Sequence, residues 1–151
     1  NLVPEVFPDK PASEADYSLI ETITSSKTWV APEDGWFMVD VVSASGPGGS
    51  AWYNTYQSSC ACTSGGGGGS GAYARSIFSF TKGQSIPVTV GGNASFGSYL
   101  SATSGTSGLS ASSTSSSAIG GSGGTASGGT VSNVQGREGN AGTKASGSME
   151  A

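Results

Sequence analysis

The side chains able to do chemistry are few and unevenly placed. The 151 residues include no histidine, so the chain by itself cannot build a Ser-His-Asp triad, a Cys-His pair or an imidazole metal site. Cys60 and Cys62 are the only cysteines. Two apart on a strand they would point the same way, and a disulfide between them would close a strained ring. They read as free thiols or as a local loop clip, and no metal site is expected. Glu5, Asp9, Glu14, Asp16, Glu21, Glu33, Asp34 and Asp40 precede a stretch without acids that ends only at Glu138. Glycoside hydrolysis needs two carboxylates facing one cleft, and residues 41–137 supply none. The expectation is therefore a protein without catalytic residues or a cofactor, not an enzyme. What remains is a cluster of Trp52, Tyr53, Asn54, Tyr56 and Gln57. Aromatic faces beside amide side chains suit a sugar or a protein surface. The plainer alternative is that these aromatics cover a sheet.

The elements that must position this cluster lie on either side of it. Residues 36–44 alternate Phe37, Val39 and Val41 on one face with Trp36, Met38 and Val42 on the other. A strand apolar on both faces is expected to be covered on both. Residues 72–80 alternate Ala74, Phe78 and Phe80 and read as its partner. Between them, 45–71 is a glycine-rich excursion carrying the aromatic cluster, the cysteines and Gly65 to Gly69. Residues 17–24, rich in β-branched side chains, and 27–30 read as strands. Ile86, Val88 and Val90 alternate with Pro87 and Thr89, and the proline places this strand at an edge or beside a bulge. Residues 94–100 read as a last, weaker strand.

Composition bounds the rest. Only 34% of the chain is hydrophobic and 11% charged, with a net charge of −4, so no electrostatic footprint for nucleic acid is present. No run is apolar enough for a membrane span. Residues 1–16 carry Pro4, Pro8 and Pro11 and read as an extended arm or a linker. The apolar Leu2, Val3, Val6 and Phe7 favour docking on a partner chain. The start at Asn1 and the unmarked end at Ala151 suggest a piece of a longer protein. Residues 17–100 are expected to form the β domain and 101–151 a Gly/Ser-rich region too poor in apolar side chains for a conventional core. Collagen is excluded there, because glycine does not recur strictly at every third position. Flexible linker, irregular loops and packed polyglycine-II helices compete for this region. The last finds support in Gly136, Gly139 and Gly142, and in Gly120 with Gly123 and Gly121 with Gly124. A helix of three residues per turn needs that period.

The order of these pieces resembles the glycine-rich domain of bacteriophage tail fibres and tail-tip adhesins. The resemblance runs over residues 22–147. It rests on Thr28-Trp29-Val30 with Ala31-Pro32, Gly35 to Val42, the glycine burst, Gly71-Ala72-Tyr73-Ala74, Gly83-Gln84, Val88-Thr89-Val90-Gly91, Ser95-Phe96-Gly97 and Gly123-Gly124-Thr125-Ala126. It implies an all-β fold: a small, jelly-roll-like β-sandwich with long glycine-rich loops, or with polyglycine-II helices in the C-terminal part. It also implies a virion protein outside the cell that attaches to a host cell-surface glycan or protein. Contacts with other tail or baseplate proteins through residues 1–16 and a homotrimer are further expectations. The alternative is a purely structural connector with receptor binding elsewhere. The chain departs from the pattern in the residues filling its excursion, Trp52, Tyr53, Tyr56, Cys60 and Cys62, and in the serines of 101–117.

Overall fold

The computed structural model describes residues 7–56, 59–112 and 117–148, with the backbone alone at 55, 56, 59, 60 and 145–148. Its strands are β1 (Lys27–Val30), β2 (Gly35–Val42), β3 (Trp52–Tyr56), β4 (Ser59–Thr63), β5 (Tyr73–Phe80), β6 (Ser85–Thr89), β7 (Ala94–Phe96), β8 (Leu100–Ala102), β9 (Ala126–Ser127), β10 (Ser132–Val134) and β11 (Lys144–Ser148). The fold is all-β. A sheet ordered β1-β6-β7-β8-β9 faces one ordered β10-β5-β2, and a third, β11-β4-β3, stands apart from them.

Alternation builds the sandwich. β2 and β5 pair antiparallel from Gly35↔Phe80 to Val42↔Tyr73, which points Phe37, Phe78 and Phe80 at the opposite sheet. There they meet Trp29 of β1 and Phe96 of β7. The Trp29 ring lies 5.2 Å from Phe37 and 5.7 Å from both Phe80 and Phe96. Edge and tilted packing of this kind adds to area burial. The outer face of β2 is covered as well. Trp36 Nε1 donates to the Pro8 carbonyl (2.9 Å), Phe7 packs edge-on against its ring and Lys10 lies over it. From Phe7 onward the N-terminal arm thus docks on its own chain, and a capped 3-10 turn at Glu14–Asp16 brings Glu14 to Arg75. Leu2, Val3 and Val6 lie outside the described residues.

Three expectations change. Residues 17–24 join no sheet; β propensity makes a strand only where backbone bonds to a partner edge form, and beyond Tyr17 N–H to Glu14 this segment's backbone has none. Residues 94–100 split into β7 and the start of β8, because Gly97 turns the chain at φ +54°. β6 is an interior strand, between β1 and β7. Its proline is tolerated because β7 pairs only from Val88 onward, and Pro87 contributes its carbonyl to Gly97 N–H (2.7 Å).

The glycines form a bundle standing on the sandwich. Five runs lie side by side: 43–50, 64–71, 103–111, 117–125 and 135–143. Gly46 and Gly49 donate to Gly69 and Gly66 (2.8 Å each), so the first two runs are antiparallel. Gly66 and Gly69 donate to Leu109 and Thr106, and Gly67 and Ser70 to Asn140 and Arg137. Gly121 and Gly124 donate back to Gly67 and Ser70, and Gly136, Gly139 and Gly142 donate to Gly124, Gly121 and Ala118. Every series steps by three residues, the lateral pairing of packed polyglycine-II helices. The expectation for the C-terminal part thus holds, and it extends into the excursion. The second run is the axis: it bonds to all four others, which is why five consecutive glycines are found there.

Space, rather than φ, demands these glycines. Among the described residues only Gly83, Gly97 and Gly128 have positive φ. A Cβ at Gly65, Gly68 or Gly71 would overlap the carbonyl oxygens of Gly49, Gly46 and Ser43 on the first run. One at Gly66 or Gly69 would overlap those of Ile119 and Ser122 on the fourth. Removing Cβ lets the backbones close to hydrogen-bonding distance, so the amides satisfy one another without a ladder.

Candidate functional site

The first, third and fifth runs leave the sandwich and the second and fourth return to it, so everything joining them lies at one far end. At about 3.1 Å per residue, each run spans roughly 25 Å. The end they reach carries β3, β4 and β11. β3 pairs with β4 from Trp52↔Thr63 to Tyr56↔Ser59, and β4 with β11 from Thr63↔Lys144 to Ser59↔Ser148. The excursion is therefore no loop. Two glycine runs hold a β-hairpin at arm's length, and the fifth run adds its third strand.

Strand alternation sorts the aromatic cluster. Trp52 and Asn54 share one face of the tip sheet, and Tyr53 stands on the other. Trp52 is half-buried, Asn54 exposed and Tyr53 76% exposed. Tyr56 pairs through its backbone with Ser59 at the hairpin end; its side chain and Gln57 lie outside what is described. Cys62 is a free, half-buried thiol opposite Tyr53. Lys144 of β11 enters the same cross-strand row as Trp52 and Thr63. It lies far along the chain from Trp52, and no local pattern couples the two.

A second element completes the tip. Leu109 N–H donates to the Ile119 carbonyl (2.9 Å), and both side chains are mostly exposed. Ala111 N–H reaches the Ser50 carbonyl, and Ser50 N–H bonds Ser110 Oγ (3.0 Å). These bonds tie the end of the third run to the residues just before Trp52. The tip thus offers separated apolar and amide groups on a rigid neutral stalk.

Apart from Lys144 at the tip and Arg137 and Glu138 on the fifth run, the charged side chains of the described residues lie at the other end. Arg75 grips Asp40 in a bidentate pair (2.6 and 2.8 Å) on the outer face of β2 and β5. Those hydrogen bonds hold the Asp40 carboxyl below its usual range against the opposing effect of burial, with Tyr73 adding a further hydrogen bond. Burial, then Asp40, push the Tyr73 phenol up. Among the described residues no group of three or more Cys, Asp or Glu side chains could hold a metal. A separate apolar cleft of about 450 Å³ lies between β2 and the edge of the larger sheet, lined by Trp29, Phe37, Val41, Val88 and Val90 and rimmed by Leu19 and Ile20. Sequence reasoning missed it, because it exists only where one sheet is wider than the other. No family model, curated protein or solved structure matches the chain.

Proposed function

We propose that this chain is a non-enzymatic attachment module of a phage or phage-like tail fibre, which presents its β3–β4 tip to a neutral host-surface glycan or protein. The observation that carries the reading is the stalk. Glycine runs packed backbone to backbone hold Trp52, Tyr53 and Asn54 roughly 25 Å from the sandwich, with Lys144 the only charged group among the described tip-sheet residues. A stacking aromatic beside an amide recognises a pyranose or a flat protein surface, and exposed anchors of this type dominate binding energy where they are used. The test is adsorption of the purified chain to host cells. Trp52→Ala with Tyr56→Ala is expected to weaken it at least tenfold, about 1.4 kcal/mol, with the unfolding midpoint unchanged. Adsorption equal to the wild type sinks the site. A second reading, an architectural connector, draws on the outer edge of β3 in the tip sheet, which pairs with no strand among the described residues and where a following fibre segment could add. Undiminished adsorption would favour it.

A further inference from the structure

The two sheets of the sandwich differ in width. β2 and β5 of the narrow sheet pack over β7, β8 and β9 of the wide one, and β2 is the edge strand. Beyond that edge, β1 and β6 are only partly covered, with Trp29 packed against Phe37 and Phe80, and the remaining gap, rimmed by residues 19–23, is the apolar cleft of about 450 Å³. Its wall is a strand edge. Ser43 N–H bonds the Ala72 carbonyl in the β2–β5 register, and antiparallel hydrogen bonding alternates. The backbone groups of Trp36, Met38, Asp40 and Val42 therefore point away from β5. No described residue pairs with them. Edge and cleft together fit one extended, apolar strand.

The chain carries such a strand without a place for it. Residues 17–24 match β2 in length, contain no proline and alternate with β-forming side chains. Beyond the bond from Tyr17 N–H to Glu14, their backbone makes no hydrogen bond. Leu19 is 83% exposed and Ile20 63%. Within its own chain the segment is tethered at both ends: at Tyr17, and by Ile23 on the core with Ser26 on Val90. These tethers keep it along the rim.

We propose that this edge is a self-association site, at which residues 18–22 of a second copy add to β2 as the missing strand. Main-chain bonds to Met38 and Asp40 set the register. One of Leu19 and Ile20 enters the cleft, and the other extends the outer row of Met38 and Ile77. The contact is heterologous, edge against segment, so it closes into a ring or a reciprocal pair where the rotation between copies permits and otherwise runs on as a filament. It protects an edge that would otherwise be an aggregation liability.

Sedimentation velocity of the full chain over the micromolar range tests this. The wild type is expected above monomer mass, and Met38→Pro at monomer mass. Because the Met38 N–H faces outward, proline there removes no β2–β5 bond. Leu19→Lys with Ile20→Lys should also give monomers, and serves if the proline variant unfolds. In a mixed sample of differently isotope-labelled chains, inter-chain contacts are expected between the Leu19 or Ile20 methyl groups and Met38. A wild type that stays monomeric throughout overturns the proposal. So does an oligomer that survives both sets of substitutions, or a mixed sample with only intra-chain contacts, which would mean the segment closes on its own cleft.

Discussion

At the scale of single residues, the bundle distinguishes glycines that look alike in sequence. Residues 64, 67 and 70 of the second run all face the fifth run. Ser64 Oγ accepts from Thr143 N–H (2.7 Å), and Ser70 Oγ from Arg137 N–H (2.6 Å). Between them, a Cβ on Gly67 would stand 3.2 Å from Asn140 N, whereas one on Gly66 or Gly68 would overlap a carbonyl oxygen of Ile119 or Gly46. Gly67→Ser should therefore supply a missing acceptor and remain within about 1 kcal/mol of the wild type. Gly66→Ala and Gly68→Ala should each lose about 1–3 kcal/mol or more, since backbone cannot yield like a side chain. Chemical denaturation measures all three; equal losses would contradict the three-residue period. The run of glycines was conspicuous in the sequence, but its tolerance at one position was not, because that depends on which neighbour each residue faces. Asp40 gives a second residue-level expectation. Its carboxyl binds protons more weakly folded than unfolded, so its stabilisation is complete above the ordinary carboxylate range. It is lost as pH falls below about 4 and through the depressed folded value. Asp40→Asn should flatten acid unfolding in that window; an unchanged acid limb would show that the Arg75 pair contributes nothing.

At the scale of elements, what was legible followed period. The alternations of β2, β5 and β6 showed in the sequence because each turns the large side chains of one face toward the opposite sheet. The β3–β4 hairpin did not, because its flanking signals are glycines that read as loop until their lateral partners are known. Trp52 and Asn54 were identifiable as candidates by residue type alone, whereas Lys144 needed the fold to bring β11 beside β4. The serines and threonines have a structural task at the bundle's margin. Where the next glycine helix is missing, their hydroxyls replace its carbonyls: Thr103 and Thr106 accept from Thr125 and Ser122, as Ser64 and Ser70 do from the fifth run. Ser64→Ala with Ser70→Ala should therefore loosen the fifth run selectively, by about 0.5–1.5 kcal/mol per bond. Amide exchange at Arg137 and Thr143 should quicken while Gly66 and Gly69, on the axis, stay protected. Uniform quickening would instead mean that the bundle opens as one unit.

At the scale of the molecule, two kinds of cohesion are joined end to end. The sandwich is held by aromatic burial around Trp29, Phe80 and Phe96, and the bundle by amide pairing with little apolar area. Ordering glycine is expensive in backbone entropy, and a close-packed amide network is what offsets it. The two have different thermal signatures. Apolar exposure on unfolding raises the heat capacity and polar exposure lowers it. An ordinary domain of 151 residues would show about 1.8–2.3 kcal/mol/K. A chain in which five runs expose mainly peptide groups should fall clearly below that. Calorimetry at several pH values, with the slope of unfolding enthalpy against midpoint temperature, gives the quantity directly. A lower value flattens the stability curve, so the stalk would keep its shape over a wide temperature range, which suits the proposed attachment role. A heat-capacity change at or above the ordinary value would mean that hydrophobic burial, in the sandwich or between copies at the β2 edge, holds the molecule together and that the amide network is secondary.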